Sequence, residues 1–189
     1  MIGCFSLARE TFDIKFAKKK LATTKRIIKK LNKNINFFDE LITNDEIGKS
    51  ALKHFENIKC TKFIVIQSTF TDAKFISSFV KKFKKPILFV SFKEKRSGGR
   101  LRLNSLCGVN LGLHALIKRK FYSNFIIFTN EERPFSNEIL KFIKNKNNFT
   151  KKNYLRKINS KNINNRIINF KEPKLGLIGE RPEGFDTCD

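Results

Sequence analysis

The sequence predicts an α/β domain: a flavodoxin- or Rossmann-like, doubly wound and mainly parallel sheet with helices on both faces. Two observations carry that prediction. Apolar runs of strand length, Phe63-Ile-Val-Ile66 among them, alternate with segments whose apolar residues recur at intervals of three and four. At 189 residues the chain fits one ordinary domain, or one domain and the opening of another, and a 40% hydrophobic content suffices to fill its core.

The first strand reads as Ile2–Leu7; it lacks a leading cationic region and runs into Arg9-Glu10, which makes it a buried strand and not a signal peptide. In the first helix Ala17, Leu21, Thr24, Ile28 and Leu31 form the inner stripe and leave Lys18, Lys19, Lys25 and Lys29 outside. A weaker strand, Ile35–Phe38, follows. Thr43-Asn-Asp-Glu46 then matches a capping box and opens a second helix that buries Ile47, Ala51 and Phe55, with His54 facing solvent. The third strand, Lys62–Gln67, leads to a third helix after Thr71. That helix uses Ile76, Val80 and Phe83 and ends near Pro86, which biases Lys85 away from helix.

The fourth strand is Ile87–Phe92, and Asn104 stands where the fourth helix needs a cap. Its inner stripe reads as Leu106, Val109, Leu113 and Leu116, with His114 packed beside it. Gly108 and Gly112 each weaken that helix by about 1 kcal/mol relative to alanine, so they mark close approach by another backbone or a ligand. A fifth strand, Phe125–Phe128, and a fifth helix from about Pro134 complete a domain spanning 1–145. The Lys/Asn-rich stretch 146–173 reads as a linker or helix-loop, and Lys174–Gly179 as the first strand of a second domain, 174–189, left unfinished.

No segment approaches the roughly 18 to 20 uninterrupted apolar residues of a membrane-spanning helix, so a cytoplasmic protein with no membrane partner is expected. Cys4, Cys60, Cys107 and Cys188 lack the paired spacing of a zinc site or redox dithiol. The net charge of +23 is the footprint of a nucleic-acid binder, but the lysines coat nearly every amphipathic segment instead of one element. The joint excess of Lys, Asn, Ile and Phe, with no Trp, matches A/T-rich codon usage. Nonspecific, salt-sensitive adhesion to polyanions follows from the charge alone, and a basic, non-catalytic nucleic-acid-binding module is the alternative reading.

In a doubly wound sheet the ligand crevice lies outside the carboxyl ends of the strands, at the switch in strand order. The segments after strands one, three and four should therefore share one rim. They carry Arg9 and Glu10; Thr69, Phe70, Thr71 and Asp72; and Gly98-Gly99-Arg100-Leu-Arg102. Guanidinium and carboxylate groups hold adjacent hydroxyls in fixed geometry and an aromatic face covers C–H surface, which suits a polyhydroxylated ligand. Arg9, Glu10, Phe70, Thr71, Asp72, Gly99, Arg100 and Asn104 are the candidate substrate-binding residues. Each has a structural alternative: Thr71 or Asp72 as a helix cap, Phe70 as core, Arg9 and Glu10 as a surface ion pair, Gly98-Gly99 as a turn. Neither phosphate-binding glycine pattern, Gly-x-x-x-x-Gly-Lys-[Ser/Thr] or Gly-x-Gly-x-x-Gly, occurs.

Four ordered stretches carry a resemblance. Phe5-Ser-Leu-Ala-Arg-Glu-Thr-Phe-Asp13, Gln67-Ser-Thr-Phe-Thr-Asp-Ala73, the segment from Gly98-Gly-Arg-Leu-Arg-Leu-Asn104 to Leu116, and Leu175-Gly-Leu-Ile-Gly-Glu-Arg-Pro-Glu-Gly-Phe-Asp-Thr-Cys188 resemble the N-terminal region of L-fucose isomerase/L-arabinose isomerase-like sugar isomerases. The resemblance implies a cytoplasmic, homo-oligomeric enzyme that interconverts an aldose and a ketose by enediol-type proton transfer, assisted by a divalent metal, typically manganese. It implies a Rossmann-like first domain that can lend residues to a neighbouring subunit's pocket, and by motif position it implies that Arg9, Phe70 and Arg100 face the sugar. In the family the metal ligands and acid/base carboxylates lie in later domains. The expectation is thus an N-terminal fragment that contributes to a monosaccharide pocket, holds no metal or catalytic residue itself, needs the remaining domains or neighbouring subunits, and is inactive alone.

Overall fold

The computed structural model describes residues 1–94, 98–119, 121, 136–144, 176, 179, 180 and 182–185, and the backbone of 124–129. Five parallel strands, β1 (Ile2–Leu7), β2 (Ile35–Ile42), β3 (Lys62–Gln67), β4 (Ile87–Phe92) and β5 (Asn124–Thr129), form one sheet in the order β2-β1-β3-β4-β5. Five helices alternate with them: α1 (Ile14–Leu31), α2 (Asp45–Glu56), α3 (Lys74–Phe83), α4 (Ser105–Lys118) and α5 (Ser136–Ile143). This is the doubly wound, flavodoxin-like arrangement that the alternation predicts, and its order reverses between β1 and β3.

The period of two along each strand sorts the side chains into two cores. Phe5, Leu7, Phe63, Val65, Ile87 and Phe89 point to the face covered by α2, α3 and α4. Ile2, Cys4, Ile64, Ile66, Leu88, Val90 and Phe92 point to the face covered by α1 and α5. The first core is aromatic: Phe5 lies against Phe55, Phe63, Phe75 and Phe79 with ring centroids 4.6 to 6.4 Å apart. Burial of both faces explains why β1, β3 and β4 are buried along their whole length and mainly apolar. It also pushes the Cys4 thiol up to about 12, because a wholly buried thiolate has no solvent.

Several local readings change. Strand β2 runs four residues past Phe38, through the exposed Asp39 and Glu40 to the buried Ile42, because an edge strand needs to bury only part of its length. Helix α2 is capped by Asn44, not Thr43: Asn44 is extended, and its side chain accepts from the Ile47 N–H. His54 is half-buried, packed on the rings of Phe38 and Phe55 with Nε2 2.5 Å from Asn36 Oδ1, whereas His114 is exposed. The inner face of α4 is also rotated. Ser105, Gly108, Val109, Leu111, Gly112, Ala115 and Leu116 are buried, while Leu106 is exposed and Leu113 half-buried. An apolar helix with small residues at 108, 112 and 115 offers two possible faces; the one turned inward brings Gly108 against Gln67 and the Thr71 backbone, while Gly112 meets Phe89 and Ile76 at ordinary contact distance. The start of α5 near Pro134, the 146–173 linker and most of the Lys174–Gly179 strand lie outside the described residues.

Candidate functional site

The switch in strand order leaves a crevice at the carboxyl ends of β1 and β3, and the chain lines it with hydrogen-bonded loops. Gln67 closes β3. Its buried amide donates to the Thr69 carbonyl, 2.7 Å, and to Thr71 Oγ1, 2.9 Å, which shapes the turn carrying Phe70. Helix α4 must come close for this: a Cβ on Gly108 would stand 2.8 Å from Gln67 Nε2 and 3.0 Å from the Thr71 nitrogen. The glycine therefore marks approach to the backbone of the β3–α3 loop. Ser105, wholly buried, donates to the Gln67 carbonyl at 2.5 Å and accepts from the Phe92 N–H at 3.0 Å, tying β3, β4 and α4 together below the rim.

On this platform Arg9 is held at three points. Its backbone N–H donates to Thr69 Oγ1, 2.7 Å; its guanidinium donates to Asp72 Oδ2, 3.2 Å; and its Cζ lies 5.7 Å from the centre of the Phe70 ring. Asp72 also accepts from the Lys74 N–H, so it serves the loop turn and the arginine at once. Phe70 is half-buried, with the Phe12 and Phe185 rings at centroid distances of 5.9 and 6.0 Å, and its N–H donates to the Leu103 carbonyl. Beside Arg9 a cleft of about 110 Å³ is lined by Ala8, Thr43, Asp45, Thr71, Asp72 and Lys74. That is below the roughly 300–1,000 Å³ of complete small-molecule sites.

The β4–α4 loop reaches the same rim. Arg100 donates from Nη2 to the Thr11 carbonyl, 3.0 Å, and Arg102 donates from Nε and Nη2 to Asp13 Oδ2 at 3.0 and 2.7 Å while stacking 3.8 Å from the Phe16 ring centre. Glu94 Oε1 accepts from the N–H groups of Leu103 and Asn104, which holds the left-handed Asn104 at the start of α4. The structure thus brings Arg9, Phe70, Thr71 and Asp72 together and lays Arg100 across the adjoining loop. Glu10 sits apart, accepting from Thr43 Oγ1 and lining a second hollow of about 460 Å³ with Lys18, Asp39 and Glu40. Gly99 is an exposed left-handed turn residue with no atom near its missing Cβ, and Asn104 occupies the cap position of α4 without a side-chain cap bond.

Four participants are not among the residues the sequence singles out for the site. Asp13, Glu94, Lys74 and Phe12 look like ordinary surface or core residues until the loops are placed. Asp13 caps α1 with Oδ1 and holds Arg102 with Oδ2, and the Phe16 N–H followed by Arg102 keeps its carboxyl below the usual carboxylate range. A carboxyl lowered in the folded state contributes stability above its unfolded value and loses it as pH falls through the folded one. Acid titration followed by circular dichroism should therefore show wild type losing stability below about pH 4, with Asp13→Asn flatter over that window; parallel acid curves would count against this latch.

Among the described residues no three of His, Cys, Asp and Glu come together as a metal site, and no helix is long and apolar enough to cross a membrane. The divalent metal that the resemblance implies thus finds no donor set in them. Residues 3–151 match the model of the fucose/sulfoquinovose isomerase N-terminal domain. Curated relatives are sulfoquinovose isomerases: those of Priestia aryabhattai and Priestia megaterium are each 26% identical over 179 residues, covering 95% of this chain and 36% of the relative. That of Alkalicoccus urumqiensis is 29% identical over 123 residues, covering 65% of this chain and 24% of the relative. The chain spans about a third of the length of the two Priestia relatives. With four fifths of its length matched by the family model and its sheet wound in the predicted order, the chain belongs to the fucose/sulfoquinovose isomerase family, N-terminal domain.

Proposed function

We propose that this chain is the N-terminal domain of an aldose–ketose sugar isomerase and supplies one wall of its monosaccharide pocket. The metal and the acid/base groups of the reaction would come from protein outside the residues described. The observation that carries this reading is the joining of Arg9, Phe70 and Asp72 at the switch in strand order, with Arg100 on the adjoining loop. Arginine has five N–H donors, and the Asp72 bond uses one of them. The others can hold two neighbouring hydroxyls, with Asp72 accepting from one and Phe70 covering a C–H face. None of these groups is assigned a proton transfer, which needs an acid or base within hydrogen-bond reach of the migrating proton.

The names of the relatives place fucose and sulfoquinovose in the panel to be tried. Titrating the 189-residue chain with such aldoses should shift the amide resonances of Arg9, Phe70 and Asp72, with no isomerase turnover when manganese is added. Arg9→Ala should weaken sugar binding about 10- to 100-fold, the worth of a charge-assisted hydrogen bond. Turnover by the chain alone, or shifts confined to residues far from the rim, would refute the assignment. Among the described residues the basic side chains are spread over helices of both layers, Lys18, Lys25 and Lys29 on α1 and Lys53 and Lys82 on α2 and α3.

A further inference from the structure

The turn Pro182-Glu-Gly-Phe185 does not stand away from the first domain; it is seated on the β3–α3 loop at four consecutive kinds of contact. The Gly184 carbonyl accepts from the Ala73 N–H at 3.1 Å. Ala73 is the N-cap of α3 and has no polar side chain to cap it; Asp72 takes the Lys74 N–H, and the Gly184 carbonyl takes that of Ala73 itself. The Phe185 ring meets Phe70, and Glu183 lies 3.5 Å from Lys74 Nζ, which also donates to Asp45 Oδ2. Gly184 lies so close to Asp72 that a Cβ there would stand 3.0 Å from the Asp72 Cβ. Its φ of +83 and the Phe185 N–H bond to the Pro182 carbonyl close the turn, a conformation open to glycine and costly for other residues.

These contacts fall on Phe70, Asp72, Ala73 and Lys74, the loop that presents the aromatic and acidic parts of the rim. Building on the sugar-wall reading above, we infer that Gly184 and Phe185 are positioning residues: the 182–185 turn clamps the β3–α3 loop, fixing the Phe70 ring and the Asp72 carboxylate that orients Arg9. The clamp also extends the aromatic wall to Phe12, Phe70 and Phe185 in sequence. A sugar resting on this wall gains from the turn without touching Gly184. The turn acts through the loop and does not enter the reaction.

The test uses the 189-residue chain with Gly184→Val, Phe185→Ala and the ring-preserving Phe185→Tyr. Hydrogen exchange at the Ala73 amide reads the clamp directly, and aldose titration reads its effect on the rim. Gly184→Val and Phe185→Ala should speed Ala73 exchange at least tenfold and weaken sugar binding about tenfold, with the urea midpoint of the whole domain little changed and Phe185→Tyr near wild type. Unchanged Ala73 exchange in both disruptive variants overturns the clamp. Faster exchange with unchanged sugar affinity overturns the positioning role while leaving the sugar wall standing. Absence of sugar binding in wild type defeats the sugar wall, and the positioning role with it, whatever exchange shows. Should Gly184→Val fail to fold, Phe185→Ala decides the matter alone.

Discussion

Phe5→Ala is expected to destabilise the domain by about 3–5 kcal/mol, the range for removing a buried aromatic side chain. Phe5 has no exposed surface and sits at the centre of the aromatic core, with Phe79 at 4.6 Å, Phe75 at 5.7 Å and Phe55 at 5.9 Å. Those partners come from α2 and α3 and cannot collapse into the space without leaving the sheet, so the cavity persists. A domain of this size has about 5–15 kcal/mol in total, which makes this one substitution a large fraction of it. Urea unfolding at constant slope measures the loss; Phe12→Ala, in the separate, half-buried row of Phe12, Phe70 and Phe185, should cost much less. A Phe5→Ala loss under about 1 kcal/mol would show that the core repacks around the gap.

Ser105→Ala is the second large effect, about 2–4 kcal/mol, and its origin is polar. The hydroxyl serves the Phe92 N–H, the Gln67 carbonyl and the Ser91 hydroxyl in a place without solvent. Its removal leaves a buried donor and a buried acceptor unpaired, each costing about 1–3 kcal/mol. Ser50→Ala on the exposed side of α2 supplies the control, expected within about 0.5 kcal/mol of wild type. The consequence reaches the rim, because Gln67 shapes the Thr69–Thr71 turn from the position Ser105 holds. Sugar affinity should therefore fall in Ser105→Ala even under conditions where the domain remains folded; unaltered affinity with the full stability loss would separate the platform from the wall.

The strands β1, β3 and β4 were legible because burial on both faces leaves short, mainly apolar runs between helical segments. Helix α1 was legible from its stripe, with Ala17, Leu21, Thr24 and Ile28 all buried. The reading weakened where a segment had more than one low-energy choice. Helix α4 is apolar on most of its circumference, so periodicity could not name its inner face, and Thr43 and Asn44 are both good caps whose competition was decided by the backbone of one residue. On the rim, Arg9, Asp72 and Arg100 were marked because charged groups are poor packing material, and Phe70 by its place in the loop after β3. Glu10 shared that signal yet turned toward Thr43 on the β2 side.

What the amino-acid sequence determined by itself was the class of fold, the family, and the three loops that meet, since these depend on local period and on residue types in order along the chain. What only the tertiary structure decided was which polar groups are partners: Asp13 with Arg102, Glu94 with the start of α4, and the 182–185 turn with the β3–α3 loop. Those pairs are separated by 9 to 111 residues. A charge–charge or hydrogen-bond contact acts over a few ångströms and leaves no periodic trace, so its partner exists only once the sheet has set the distance.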